Sequence, residues 1–499
     1  MRKGKGKGKK EKGDGEREET ENHTLKHEEL DQKLKDDSNM AAPSTASRKQ
    51  WAVISSLYSR QQGLLNPANF AKEACGSTTL VSRLKQHKTL THHNGCVNTL
   101  HFNDSGDLLA SGSDDLDVVI WDWAKSRKVV NYDSGHSSNV FQAKFMPYSN
   151  DSTIVTCARD GQVRVGILPS TGTVNETRQL AQHRGAAHKL SIEPGSPWLF
   201  LTCGEDGLIY QLDLREDKAK KLFCCRADEH KKVPLYTIFI NPSNVFEFAV
   251  GGRDQYVRIY DRRKAPQDHK SYIEPVKSYC PHHLRENNSF FANITCLVYS
   301  HDGSELLVSY NDEDIYLFDS NSSSGAEYIK KYKGHRNNAT VKGVNFFGPR
   351  SEFVVSGSDC GNVFLWDKET QDIVQYMKGD ETGVVNCLEP HPSALFLATS
   401  GLDHDVKIWA PLAKEPNDLS GLQKLIDSNK DDREDDRLRP HDPISEHLIY
   451  LMMHHVHQRL RERRGAREDD SDSPELSDNE EEDDDDDDDL PGRVECSSS

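Results

Sequence analysis

The sequence predicts an all-β fold, a seven-bladed β-propeller with short flanking helices, and three observations carry that prediction. The stretch from His93 to Asp122, HNGCVNTLHFNDSGDLLASGSDDLDVVIWD, places its apolar residues in three short runs: Val97, Leu100 and Phe102; Leu108, Leu109 and Ala110; Val118 and Ile120. The separators NDSG and GSDD are turn formers, so the unit reads as three antiparallel strands. The arrangement recurs downstream at a period of about 43 to 59 residues, the range of radial β repeats with variable loops.

A fixed polar layout accompanies the strands. His93 stands four residues before Val97, Ser111 four before Asp115, and Asp115 six before Trp121. This layout resembles the WD repeat. The resemblance implies that His93, Ser111, Asp115 and Trp121 form a buried hydrogen-bonded chain, tying the loop that enters strand a to the turn between strands b and c.

Further units follow in order. The second carries His136, Thr156 and Asp160, with Gly166 where Trp would stand; the third carries His183, Thr202 and Asp206, with Leu212 in that place. The fourth has Asp254 and Tyr260. The fifth has Phe318 but is one residue shorter between strands, so Asp312 matches loosely. The sixth has Ser356 and Trp366 with Cys360 in the Asp position, and the seventh has Thr399, Asp403 and Trp409 with Asp380 in the His position. The propeller is thereby placed at 77–411. The segment from Ser77 to Leu90 reads as a strand, which in WD propellers completes the last blade and closes the ring.

Outside the propeller the composition changes. Residues 1–48 form a charged tail whose opening block, Arg2, Lys3, Lys5, Lys7, Lys9 and Lys10, suits a nuclear import signal or a merely solubilising end. In 49–76, Trp51, Ile54, Leu57 and Tyr58 fall at helical spacing and Phe70 follows the break at Asn66-Pro67, which reads as a helix-loop-helix. Residues 412–468 hold two amphipathic stretches, LSGLQKLI and ISEHLIYLMMHHVHQRLRERR; the second places Leu448, Leu451, Met452 and Val456 on one side. The acidic tail, 469–499, includes Ser471, Ser473 and Ser477 as phosphorylation candidates.

Charge and cysteine content narrow the function. Of 499 residues 29% are charged and the mean hydropathy is -0.76, too polar for one compact body throughout. The net charge of -18 comes mostly from the run Asp469 to Asp489, with roughly 15 carboxylates. The near-neutral remainder offers no basic surface for direct nucleic-acid binding, and no apolar run approaches the roughly 20 residues of a membrane span. Eleven cysteines is an odd number, and Cys96, Cys157, Cys203, Cys296 and Cys387 fall inside apolar strand patterns, which suits reduced, buried thiols. The expected setting is nuclear and cytoplasmic.

No catalytic residue is assigned. Ser, His and Asp recur blade after blade with an aromatic fourth, whereas a catalytic triad occurs once per site. No cofactor motif is present. Cys280, His282 and His283, and His454, His455 and His457, lack the second ligand pair of a structural zinc site, so no metal is expected.

Two blade ends stand apart. QLDLRED supplies Asp213 and Arg215, and RIYDRRK supplies Tyr260, Asp261 and Arg263, whereas blade one ends WDWA, blade six WDKE and blade seven WAPL. These boxes resemble the WDxR signature of WD-repeat substrate receptors of the cullin-four RING ubiquitin ligase. Strings such as GHSSNVFQAKF, CARDGQVRV, ANITCLVYSHDG and SGLDHDVKIWAP are similar to cullin-four-associated WD-repeat factors, over the whole propeller and the helix after it. The resemblance implies a non-catalytic adaptor that docks on the damaged-DNA-binding adaptor protein through Arg215 and Arg263 and presents substrate proteins. Leu212 departs from the Trp or Tyr usual in the box, which leaves blade four the stronger.

The residue before each blade Asp marks a candidate substrate face at the b–c turns: Arg159, Glu205, Arg253 and Asn311, with Asp114, Asp359 and Leu402 completing the ring. The rival reading is a propeller scaffold or histone-type chaperone without a ligase, for which the acidic tail would be the working part.

Overall fold

The computed structural model describes residues 51–168, 177–228, 230–265, 273–286, 292–338, 341–381 and 383–438. The Lys/Gly block, the stretch containing Leu448 and His454, and the acidic run lie outside the described residues. Within them the chain forms seven four-stranded antiparallel sheets, each in the order a-b-c-d. Blade 1 consists of Val97–Phe102, Leu109–Ser113, Asp117–Asp122 and Arg127–Asp133.

The outer strand d is the element missing from the three-strand sequence reading. In blade 1 it is exposed at most positions, whereas strand b is buried along its whole length. A strand at the rim with little surface to bury shows no apolar alternation, so its sequence does not announce it.

The ring closes where expected. Lys85–Thr91 pairs antiparallel with Asp405–Ala410, with Gln86 opposite Trp409 and Leu90 opposite Val406, and supplies the outer strand of the seventh sheet. The segment before it is not strand: Thr78–Val81 is a helical turn, because Val81 and Leu84, three apart, both enter the seam of Phe347, Leu397 and Trp409. The core is a set of such seams between neighbouring blades. Between blades 7 and 1, Leu100, Leu109 and Trp121 face Ala398, Val406 and Ile408. Each fully buried Val, Leu or Phe there contributes about 1.5–3 kcal/mol.

Antiparallel connectivity sorts the loops. The a–b and c–d connections lie on one face, called lower here, and the b–c and d–a connections on the upper. In the b–c turns the residue after the blade Asp takes a left-handed conformation: Gly161 at φ +77°, Gly207 at +73°, and Leu116 at +72°.

Helices attach at the edge. Helix α1, Val53–Gln61, leaves Ile54 and Tyr58 largely exposed, and α2, Pro67–Cys75, packs the Phe70 ring edge-on to Trp51. Helix α3 is Thr78–Val81, and α4, His282–Glu286, lies between blades 4 and 5. Helix α5, Leu422–Leu438, continues well past LSGLQKLI. Leu422 and Leu425 pack against blade 6, and Arg433 donates to the His335 carbonyl at 2.7 Å and pairs with Asp314 at 3.3 Å.

Candidate functional site

The tetrad of blade 1 is complete. His93 Nδ1 meets the Asp115 carboxylate at 3.0 Å, His93 Nε2 meets Ser111 Oγ at 2.8 Å, and the Trp121 indole N–H donates to Ser111 Oγ at 2.8 Å. Burial would raise the Asp115 carboxyl, but the His93 hydrogen bond and the N–H groups of Asn94 and Asp117 outweigh it and hold the group below its ordinary value. In blade 2, His136 joins Asp160 at 3.2 Å and Thr156 at 2.9 Å, and a Tyr132 ring from blade 1 stands beside Gly166, where the indole is missing.

Elsewhere the chain of bonds is altered in ways the substitutions explain. His183 meets Asp206 at 3.0 Å, but His183 Nε2 and the Thr202 hydroxyl have no partner, since Leu212 brings no indole N–H to orient the hydroxyl. In blade 4 Arg258 replaces the histidine and forks Asp254 at 2.6 and 3.0 Å. In blade 6 Cys360 supplies no carboxylate: His335 is fully buried with neither ring nitrogen partnered, and Trp366 donates to the Lys333 carbonyl instead of to Ser356. In blade 7 Trp409 donates to Thr399 at 2.8 Å, and Asp380 accepts the Asp403 N–H at 2.8 Å. These are structural bonds inside blades.

The two arginine boxes share one geometry. Arg215 forks Asp213 through Nε at 2.9 Å and Nη2 at 2.6 Å; Arg263 forks Asp261 through Nε at 3.0 Å and Nη2 at 2.7 Å. Each aspartate also accepts the N–H of its own arginine at 3.0 Å, and the fork holds both carboxyls below their ordinary value. The side chains of Arg215 and Arg263 remain 60% and 58% exposed. Asp319 and Asp367 make the same turn with backbone N–H groups two residues on, but no guanidinium follows. The turn is therefore shared among blades, and among the described residues Arg215 and Arg263 are the arginines that fork a blade-end aspartate.

Beside each arginine stands an exposed aromatic that sequence reading missed. Leu214 N–H donates to the Trp198 carbonyl at 3.1 Å and Arg262 N–H to the Phe246 carbonyl at 2.9 Å, so Trp198 and Phe246 occupy matching places on blades 3 and 4. They are 44% and 39% exposed, and the Arg263 guanidinium lies 4.4 Å from the centre of the Phe246 ring. Arg262 ties the two blades together through an ion pair with Glu193. The available signal was positional, since each aromatic immediately precedes strand b. Tyr260 is not available for contact: it is 1% exposed, its hydroxyl 3.6 Å from Cys225 Sγ, because strand c turns it into the seam between blades 3 and 4. Asp213 and Asp261 are mostly covered and act by holding the arginines.

Arg159, Glu205, Arg253 and Asn311 sit at b–c turns on the upper face. Arg253 donates to the Tyr236 hydroxyl at 2.9 Å and Glu205 accepts from His188 at 3.0 Å. Of the metal-like cluster near blade 5, Cys280 is buried, His282 faces Glu327 at 3.2 Å and His283 meets the Tyr316 hydroxyl at 3.1 Å, so the three serve separate contacts.

The fold and the tetrads define a seven-bladed β-propeller of WD repeats, and segments 84–122, 127–165, 326–367 and 371–410 match the WD domain, G-beta repeat. Among individual proteins, the chain is 34% identical over 352 residues to human DDB1- and CUL4-associated factor 6, a match covering 64% of this chain and 41% of that protein. It is 32% identical over 291 residues to Protein ALTERED SEED GERMINATION 2 of Arabidopsis thaliana, covering 51% and 38% respectively. It is 24% identical over 591 residues to the mouse WD and tetratricopeptide repeats protein 1, covering 68% and 86%. The chain thus spans about two-fifths of the length of the first two relatives. Propellers of this kind are typically non-catalytic scaffolds.

Proposed function

We propose that this chain is a non-catalytic substrate receptor of a cullin-four RING ubiquitin ligase. Its lower face docks on the damaged-DNA-binding adaptor and its upper face presents substrate proteins, in nucleus and cytoplasm. The observation that carries the reading is the matched pair on blades 3 and 4, Arg215 with Trp198 and Arg263 with Phe246, all exposed on one face. Arginine and large aromatics are the residues that dominate interface energies, and forks preset by Asp213 and Asp261 lose less freedom on binding. Exposed Tyr148 and Ile167 extend the same face onto blade 2, and the apolar side of α1 offers a second contact. The similarity to DDB1- and CUL4-associated factor 6 supports the assignment. The quoted strings resemble the eighth of these factors; the aligned relatives support the coarser grouping and not that number.

Capture of adaptor and cullin by the full chain, and its loss on replacing both arginines, tests the reading. A scaffold without a ligase captures neither.

A further inference from the structure

Four neighbouring blades carry, at the upper mouth of the propeller, a tier of side chains with no part in the tetrads or the lower face. Strand a is innermost in each blade and lines the channel. In blades 1, 3 and 4 its second residue bonds the residue preceding the blade Asp: Asn98 donates to Asp114 at 2.7 Å, His188 joins Glu205 at 3.0 Å, and Tyr236 accepts from Arg253 at 2.9 Å. Each inner strand thereby aims its turn residue over the mouth. The rings connect across blades 2 to 4: Phe141 lies parallel to His188 with centroids 5.0 Å apart, and Tyr236 stands edge-on to His188 at 5.1 Å.

Arg253 is the cation this tier positions. Its Nε is fixed on the Tyr236 hydroxyl, its guanidinium lies 5.9 Å from the Tyr236 ring centre, and no ion pair engages it among the described residues. Arg159 occupies the same turn position on blade 2, and Arg184, Lys231 and Lys232 are exposed in nearby d–a loops. Of the acidic groups on this face, Asp359 pairs with Lys342, Asp314 with Arg433 and Lys331, and Asp403 with Lys407, while Glu381 and, beside Lys231, Asp228 are exposed. The result is a cationic sector three blades wide beside a ring surface.

We propose that this mouth binds an acidic segment of a partner protein. A carboxylate is taken on the Arg253 fork, and an adjacent apolar side chain lies on Phe141, the half-buried ring that His188 and the buried Tyr236 support from behind. A guanidinium held by Nε presents its two terminal nitrogens, which match a carboxylate in bidentate fashion. Nucleic acid fits less well, because its phosphates need an extended basic track and the sector ends within three blades. The inference rests on the upper face being the substrate face and names the class of substrate segment it recognises.

The test uses the full chain and a fluorescein-labelled peptide of six Glu around one Phe, read by anisotropy, with the Gln counterpart and an oligothymidylate as comparison probes. The acidic peptide binds, the Gln peptide binds at least tenfold more weakly, and Arg253→Ala weakens binding by about tenfold with the melting point unchanged. Arg253→Lys falls between, since an ammonium keeps charge without the fork. Equal binding of the Gln peptide, or binding that ignores Arg253, overturns the site. So does oligothymidylate binding as tightly as the acidic peptide. If the full chain fails to bind but a variant with the carboxylates of 469–489 replaced by Ser succeeds, the chain's own tail holds the mouth and the partner assignment is overturned. Arg253-dependent peptide binding with undiminished capture of substrates by Arg253→Ala keeps the site and overturns the reading of this face as the substrate face.

Discussion

Blade 6 gives the sharpest test of how the tetrads act, because its histidine has lost its carboxylate. With Cys360 in the Asp position, His335 is buried edge-on to Trp366, and burial pushes its imidazole down to about 3. Arg433 and Lys342 add to that effect, while Asp314 and Asp359 oppose it. A folded-state value below the ordinary 6.5 means that only the unfolded chain takes up this proton, so its contribution to stability is present above pH 6.5 and is lost as pH falls. Between pH 7.5 and 5.5 the loss amounts to about 1.4 kcal/mol for this one group. His335→Leu removes the titration, and any packing cost it carries applies at both pH values. Urea unfolding of wild type and variant at the two pH values therefore yields stability losses differing by about 1.4 kcal/mol, with the smaller loss in the variant. Titrating groups away from His335, such as the half-buried His101, cancel in that difference. Equal losses in the two proteins would refute a neutral, unpartnered His335.

Three further outcomes follow from the same reasoning. Asp115→Ala strips acceptors from His93, Asn94 and Asp117 and lowers the melting point, at about 1–3 kcal/mol for each buried group left unpaired; an unchanged melting curve would mean the tetrad is misassigned. Leu116→Gly relieves the left-handed conformation that Gly161 and Gly207 adopt freely in sister blades and raises stability by up to about 1 kcal/mol, which calorimetry would show as a higher melting point. Deleting everything after Glu468 removes a segment with almost nothing apolar and leaves the melting point level or slightly higher; a clear drop would show that the tail docks.

The parts legible in the sequence are those where burial and hydrogen bonding impose a residue type. Strands a, b and c announce themselves because both faces of a blade are buried, and His93, Ser111, Asp115 and Trp121 because each must satisfy the next. Strand d stayed hidden because its rim position demands neither. Tyr260 was misjudged because the box pattern does not say which way a strand-c residue points. Trp198 and Phe246 escaped because a single exposed aromatic before strand b has no pattern within its own blade; only alignment of blade 3 with blade 4 brings out the pair. Phe141, His188 and Tyr236 follow the same rule, for the first two stand five residues after His136 and His183.

The central claim is tested most directly by capture of the adaptor by full-length chain carrying Arg215→Ala and Arg263→Ala together. Both side chains lie outside the seams, so fold and melting point should match wild type. Each arginine in a desolvated interface centre can account for about 2 kcal/mol, so capture of adaptor and cullin should weaken by well over tenfold. The control is Lys125→Ala with Arg127→Ala, exposed on the same face of blade 1; Lys368, a basic residue at another blade end, is unsuitable because Glu305 holds it at 2.7 Å in a largely buried pair. A folded double variant that captures adaptor and cullin as wild type does would contradict the arginine mechanism and leave docking to α1 and α2. A wild-type chain that captures no adaptor would leave only the scaffold.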